Sequence, residues 1–161
     1  MRKYIIAVLL IISTFPAFFP IHADTVSAEV VRLRGQTVYV PVYSHIYFGR
    51  QEAQFNLTVT LSVRNTDPAN PITLVSVDYF DSGGKVLKKY LGEELKLSPM
   101  ATVEYIVSEA DRSGGAGANF VVKWKSETQV NPPIIETVMI GTLAQQGISF
   151  TSRGQPIEEA K

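Results

Sequence analysis

The 161-residue chain contains no cysteine. That excludes disulfides, thiolate nucleophiles, zinc–cysteine and iron–sulfur sites, and a lipid anchor on cysteine. Histidine is almost as scarce, with only His22 and His45 in the sequence. A histidine-based catalytic triad or an imidazole-rich transition-metal site therefore has little to draw on. Charge is sparse and balanced, with 15 basic against 15 acidic residues and 19% charged overall. A nucleic-acid binder would show a basic excess, so no such partner is expected. No segment sustains a long 3.6-residue apolar period. Val86 to Leu97 comes nearest to a helix, and Gly92 interrupts it. What remains is a chain of single-domain length, 45% hydrophobic, able to build a core without metal or disulfide staples.

The first residues read as an address. Arg2 and Lys3 form a positive n-region, Ile5 to Ile12 is an unbroken apolar run, and Ala23 and Ala28 are small residues suited to the position before a cut. This is the order of a secretory signal peptide, expected over residues 1–23 with cleavage after Ala23 or Ala28. Pro16, Pro20 and His22 interrupt the stretch of about 20 apolar residues that a retained membrane helix would need. No stable membrane span is expected after cleavage. Removing Arg2 and Lys3 lowers the basic count to 13 against 15 acidic residues, so the mature chain is slightly acidic. His45 is then its only histidine. Export without disulfides fits a bacterial periplasmic or extracellular protein.

Period-two patterns dominate the rest. From Phe55 to Val63 the odd positions are apolar and the even positions are Asn, Thr and Ser, as in a strand with one dry face. Gln36 to Phe48 reads as one long strand or two short ones. Val38, Val40, Val42, Ile46 and Phe48 would line one face, and Tyr39, Tyr43, His45 and Tyr47 the other. Pro41 lacks an N–H and points to an edge or a bulge. Further strands are expected over Ile72–Phe80 with Val75, Val77 and Tyr79 inward, and over Lys85–Leu91 after an Asp81-Ser82-Gly83-Gly84 turn. Three more are expected over Thr102–Ser108, over Ala118–Lys125 with Phe120, Val122 and Trp124 inward, and over Ile135–Ile140 with Val138 and Ile140 inward. About seven strands separated by turns predict an all-β protein, a single immunoglobulin-like antiparallel β-sandwich. The domain would span residues 35–150, after a short segment 24–34 and before a polar, fraying tail at 151–161.

Two features are candidate contact surfaces. Tyr39, Tyr43, His45 and Tyr47 combine apolar area with hydrogen-bonding tips, which suits a partner interface. The loop with Gly114, Gly115, Gly117 and Asn119 is the most unusual local composition. It has no P-loop lysine and leads into a strand rather than a helix, so it is a flexible connector or a contact loop. Trp124 shares a face with Phe120 and Val122 and is expected in the core. Asp78, Asp81, Glu109 and Asp111 are carboxylates near turns, where Asp commonly bonds backbone N–H groups. The Asn56-Leu57-Thr58 sequon lies in a regular strand and is a chance match. No catalytic residue, metal site or cofactor is assigned.

The run Gly35-Gln36-Thr37-Val38-Tyr39-Val40-Pro41-Val42-Tyr43-Ser44-His45-Ile46-Tyr47 resembles the opening of a bacterial family, Domain of Unknown Function 3124. The segments Asn56–Asp67, Val77–Asp81, Gly114–Phe120, Pro133–Gly141 and Gln146–Phe150 follow in the same order. The resemblance implies a small exported single-domain protein and assigns no activity or functional residue. The function expected is a non-catalytic envelope module that binds a protein or polymer partner. A carboxylate-dependent hydrolase of envelope glycans and a calcium-dependent adhesive domain stand as alternatives.

Overall fold

The computed structural model describes residues 31–49, 53–143 and 145–159. The expected signal peptide lies outside them. The described residues form twelve strands and no helix, so Val86 to Leu97 is not helical. The strands are β1 (Leu33–Pro41), β2 (His45–Phe48), β3 (Ala53–Asn56), β4 (Thr58–Arg64), β5 (Ile72–Phe80) and β6 (Val86–Lys89). They continue as β7 (Leu95–Leu97), β8 (Thr102–Val107), β9 (Asn119–Val130), β10 (Ile134–Leu143), β11 (Gln146–Arg153) and β12 (Gln155–Glu159).

One sheet has the order β12-β1-β9-β5-β6, with β7 also paired to β5, and a second has the order β11-β10-β4-β8. β2 and β3 form a separate hairpin. Every pairing is antiparallel. The buried faces of the two large sheets meet in one core. Val59, Leu61 and Val63 of β4 and Phe120, Val122 and Trp124 of β9 are buried there, as their alternation requires.

Three expectations about facing are corrected. In β5 the buried residues are Ile72 and Leu74, then Val77 and Tyr79. The register with β9 slips between Leu74 and Ser76. This bulge moves the inward set from even to odd positions and leaves Val75 only half-buried. In β10 it is Ile135, Thr137 and Met139 that are buried, while Ile140 is 50% exposed and Val138 half-buried. Thr137 can face the core because its hydroxyl donates to the Pro41 carbonyl at 3.1 Å. Pro41, expected at an edge or bulge, ends a strand flanked by β12 and β9; the pairing with β12 reaches only Tyr39.

The tail expected to fray after Phe150 continues β11 and then forms β12. Gly154 is the crossing point from one sheet to the other, and its N–H donates to the Ile135 carbonyl at 2.8 Å. A Cβ there would approach Val38 Cγ1 to 2.6 Å and the Ile135 oxygen to 3.0 Å, so the crossing is this tight only because the residue is glycine.

At one end of the molecule Asn65 and Asp67 gather three connections, β4–β5, β7–β8 and β9–β10. The Asn65 amide nitrogen donates to the carbonyls of Asn70, Leu97 and Ser98. One Asp67 oxygen accepts from the N–H groups of Ala69 and Asn70, and the other from Asn131 N–H. Those donors hold the Asp67 carboxyl at about 2, below its ordinary 3.8. A depressed carboxyl contributes stability that is present above its unfolded value and is lost as pH falls through its folded value. Asp67→Ala is therefore expected to melt below the wild type at pH 7, with the gap narrowing between pH 4 and pH 2. Thermal melts across that range check this; a gap that does not narrow refutes it.

Candidate functional site

The opposite end is organised by the glycine-rich loop. The Gly115 carbonyl accepts from both the N–H and the hydroxyl of Ser44, each at 3.1 Å. The Gly114 carbonyl accepts from the Ser82 N–H at 2.9 Å and its hydroxyl at 3.0 Å. Ser82 Oγ in turn accepts from Gly117 N–H at 2.9 Å. Val42 N–H donates to the Ala118 carbonyl. The loop is thus stitched to the end of β1 and to the β5–β6 turn. Gly114 and Asn119 are buried and Gly115 is half-buried, while Gly117 is exposed. Asp111, Arg112 and Ser113, on the same loop, are exposed as well.

Gly115 has φ +79°, a conformation that costs an L side chain energy. A Cβ on Gly114 would overlap the Tyr79 hydroxyl and lie 2.8 Å from its ring carbon Cζ. Tyr79 is 1% exposed, and its hydroxyl has no partner among the described residues. Burial, with a smaller contribution from Asp111, pushes the phenol up to about 12.

Ser44 sits at a bend between β1 and β2. The bend divides the expected aromatic face into separate environments. Tyr39 lies between Gln155 and Val121 on the outer face of the six-stranded sheet. Tyr43 packs edge-on against Phe150, with ring centres 5.8 Å apart. His45 is buried, at 7% exposure, against Tyr47. Tyr47 and Phe48 are 56% and 47% exposed, whereas Val38, Val40 and Val42, expected on one face with Phe48, are buried. Phe48 leans on Phe55 at 6.1 Å. Phe55 in turn occupies the space that a side chain at Gly141 would fill. Gly141 is paired with Ile148, itself 40% exposed. Tyr43 with Phe150, and Phe48 over buried Phe55 beside Gly141 and Ile148, therefore make an aromatic and aliphatic surface where the β2–β3 hairpin lies on β10, while Tyr47, the strand neighbour of Phe48, is exposed on the other face of the hairpin beside His45. Phe48, Ile148 and Phe150 were not read as site residues in the sequence. The available signal was Gly141, a glycine inside a strand, which marks close approach of another element.

The bend also brings Ser44 Oγ within 3.4 Å of His45 Nδ1, although strand neighbours would point apart. Ser44 is fully buried and its proton goes to Gly115. Among the described residues His45 Nε2 is buried without a partner, and no carboxylate is bonded to the ring. Asp81 holds Gly83 and Lys85 N–H groups, and Asp111 holds Ser113 N–H. These are turn roles. Among the described residues no group of three or more His, Cys, Asp or Glu side chains is placed to hold a metal ion. With its amide oxygen turned toward Arg112, Asn56 accepts from Nε at 3.1 Å and Nη2 at 2.8 Å, which fixes the hairpin base to the loop.

A model of the family described as protein of unknown function (DUF3124) matches residues 35–157. The chain belongs to this family. The DUF3124 match runs from within β1 to within β12 and takes in the glycine loop, the hairpin and the sheet crossing. No curated protein is similar to the chain. Among solved structures it is similar to the crystal structure of Thermotoga maritima 1070, with a TM-score of 0.46 and 13% identity over 78% of this chain and 97% of that one.

The Gly114–Tyr79 contact is directly testable. Gly114→Ala is expected to cost about 2–3 kcal/mol through overpacking. Tyr79→Phe removes an unpartnered hydroxyl and should change stability by less than about 1 kcal/mol. Combined with Gly114→Ala it should recover part of the loss, read as a positive coupling in denaturant titrations. Additive effects would rule the contact out.

Proposed function

We propose that this DUF3124 protein is an exported, non-catalytic binding module of the bacterial cell envelope, built on an immunoglobulin-like sandwich and holding a protein or polymer partner through the β2–β3 hairpin surface. The observation that carries this reading is the exposure of Tyr43, Tyr47, Phe48 and Ile148 on and beside the β2–β3 hairpin. Exposed aromatic clusters on monomers mark interaction sites, and aromatic residues dominate binding energy at interfaces. The expected secretory signal supports export. Two antiparallel sheets sharing one core support the sandwich. The Ser44 hydroxyl, the one nucleophile beside His45, is engaged by the Gly115 carbonyl, which favours a binding role for the exposed patch over a catalytic one.

Cross-linking and affinity capture from the native envelope should recover a partner. The double substitution Tyr47→Ala with Phe48→Ala should weaken that association about tenfold or more without changing the circular dichroism spectrum. Tyr39→Ala, on the outer face of the other sheet, should leave it intact. Capture that is indifferent to Tyr47 and Phe48 would remove the hairpin from the reading.

A further inference from the structure

A second surface lies where β12 parts from β11. On its β11 side β10 has no strand partner at Ile134 and Ile135, because β11 ends at Arg153, opposite Glu136, and the chain crosses at Gly154. The result is a groove of about 580 Å3 between the sheets, within the roughly 300–1,000 Å3 range of small-molecule sites. Val31, Leu33 and Val38 line it on the β1 side, Ile134 and Ile135 on the β10 side, and Pro156 on β12. Arg153 and Glu159 also contribute to the lining, so its two charges cancel.

One polar side chain breaks the apolar lining. Gln36 faces the groove and is only 7% exposed. Its side-chain amide has no partner among the described residues. Gln36 is paired with Trp124 on one side and Glu159 on the other. Trp124 is buried, and its Nε1 is without a partner among the described residues. A buried amide offers one acceptor and two donors, and leaving them unmade inside an occupied groove is costly.

We infer that the groove between β1, β10 and β12 binds a small, neutral, largely apolar molecule carrying one amide-type group, with Gln36 making the hydrogen bonds to that group. The walls supply burial and Gln36 selects the head group. The opposite charges of Arg153 and Glu159 give an ionised ligand no net attraction. This inference stands apart from the hairpin reading, since the two surfaces share no residue.

The test uses the purified protein and N-phenyl-1-naphthylamine, a neutral apolar fluorophore. Energy transfer from Trp124, the chain's single tryptophan, reports binding beside Gln36. Saturable transfer is expected, with octanamide displacing the probe about tenfold more effectively than octanoate. Gln36→Leu should raise the octanamide concentration needed by about tenfold while leaving the melting curve unchanged. Ile134→Trp should fill the groove and abolish transfer, and Phe48→Ser should leave transfer intact. If Ile134→Trp does not fold, Gln36→Leu decides. Absence of saturable transfer, an unchanged octanamide response in Gln36→Leu, or loss of transfer in Phe48→Ser would overturn the site. Equal competition by octanoate would overturn its neutral head-group preference.

Discussion

The backbone of residues 112–118 belongs to no strand, and the arrangement of this end of the molecule depends on where its carbonyls and N–H groups go. Buried backbone groups must be paired, and here serines from two other connections do the pairing. Ser44 closes on Gly115 and Ser82 on Gly114 and Gly117. Such close approach leaves no room for side chains, which is why Gly114 abuts Tyr79. The consequence propagates along the chain. Holding Ser44 fixes the bend after β1, and the Ser44 carbonyl then accepts from Leu57 N–H at 3.0 Å. That bond pins the base of the hairpin. An isolated two-stranded hairpin is marginal in water; this one persists because both its ends are tied and Phe55 packs over Gly141. Exposure of Tyr47 and Phe48 is thus the far end of a chain of constraints that begins at a glycine carbonyl.

The two long sides of the molecule are closed differently. On the side of β6 and β8, Tyr90 bridges the sheets. Its hydroxyl donates to the Ile106 carbonyl at 3.0 Å, and its ring packs against Tyr105 and Phe120. This contact also occupies a backbone acceptor on the β8 edge, which would otherwise be open to another strand. On the other side closure is covalent, through the β11–Gly154–β12 crossing. A single-residue crossing cannot cover the full length of β10. The groove is what that shortfall leaves at Ile134 and Ile135.

The sequence revealed most of the architecture where burial is one-sided. Alternation from Phe55 to Val63 and from Phe120 to Trp124 was readable because water excludes apolar residues from one face only. It failed in three physically distinct ways. A bulge in β5 shifts the period without any sign in composition. In β10 a threonine sits on the dry face because a carbonyl waits for it, so Val138 and Ile140 looked inward when they are not. The end of β11 and all of β12, residues 151–159, carry polar residues on exposed edges and read as a tail, since their order comes from pairing with β10 and β1. The candidate site was half legible for the same reason. The tyrosines stood out by type, but the bend at Ser44 that separates Tyr39 from Tyr47 is set by Gly115, about seventy residues away in sequence.

Polar groups on the inner faces show how the fold treats burial, and they give Gln36 its meaning. Thr137 is satisfied by Pro41. Tyr79 is not satisfied, and its large ring recovers the cost through contact with Phe120 at 5.0 Å. Gln36 follows neither course. It has no protein partner among the described residues, and Trp124, directly across from it on β9, has its own ring nitrogen unpaired there. What separates it from Tyr79 is that its side chain borders the open groove, where water can serve the amide in the free protein. Any occupant must displace that water. A pure hydrocarbon would leave the amide unpaired, whereas a molecule with its own amide restores the bonds. The same polar group that costs the core little when the groove is wet therefore becomes the selective element when it is filled, since an unpaired buried polar group rejects a ligand more strongly than a missing methylene does.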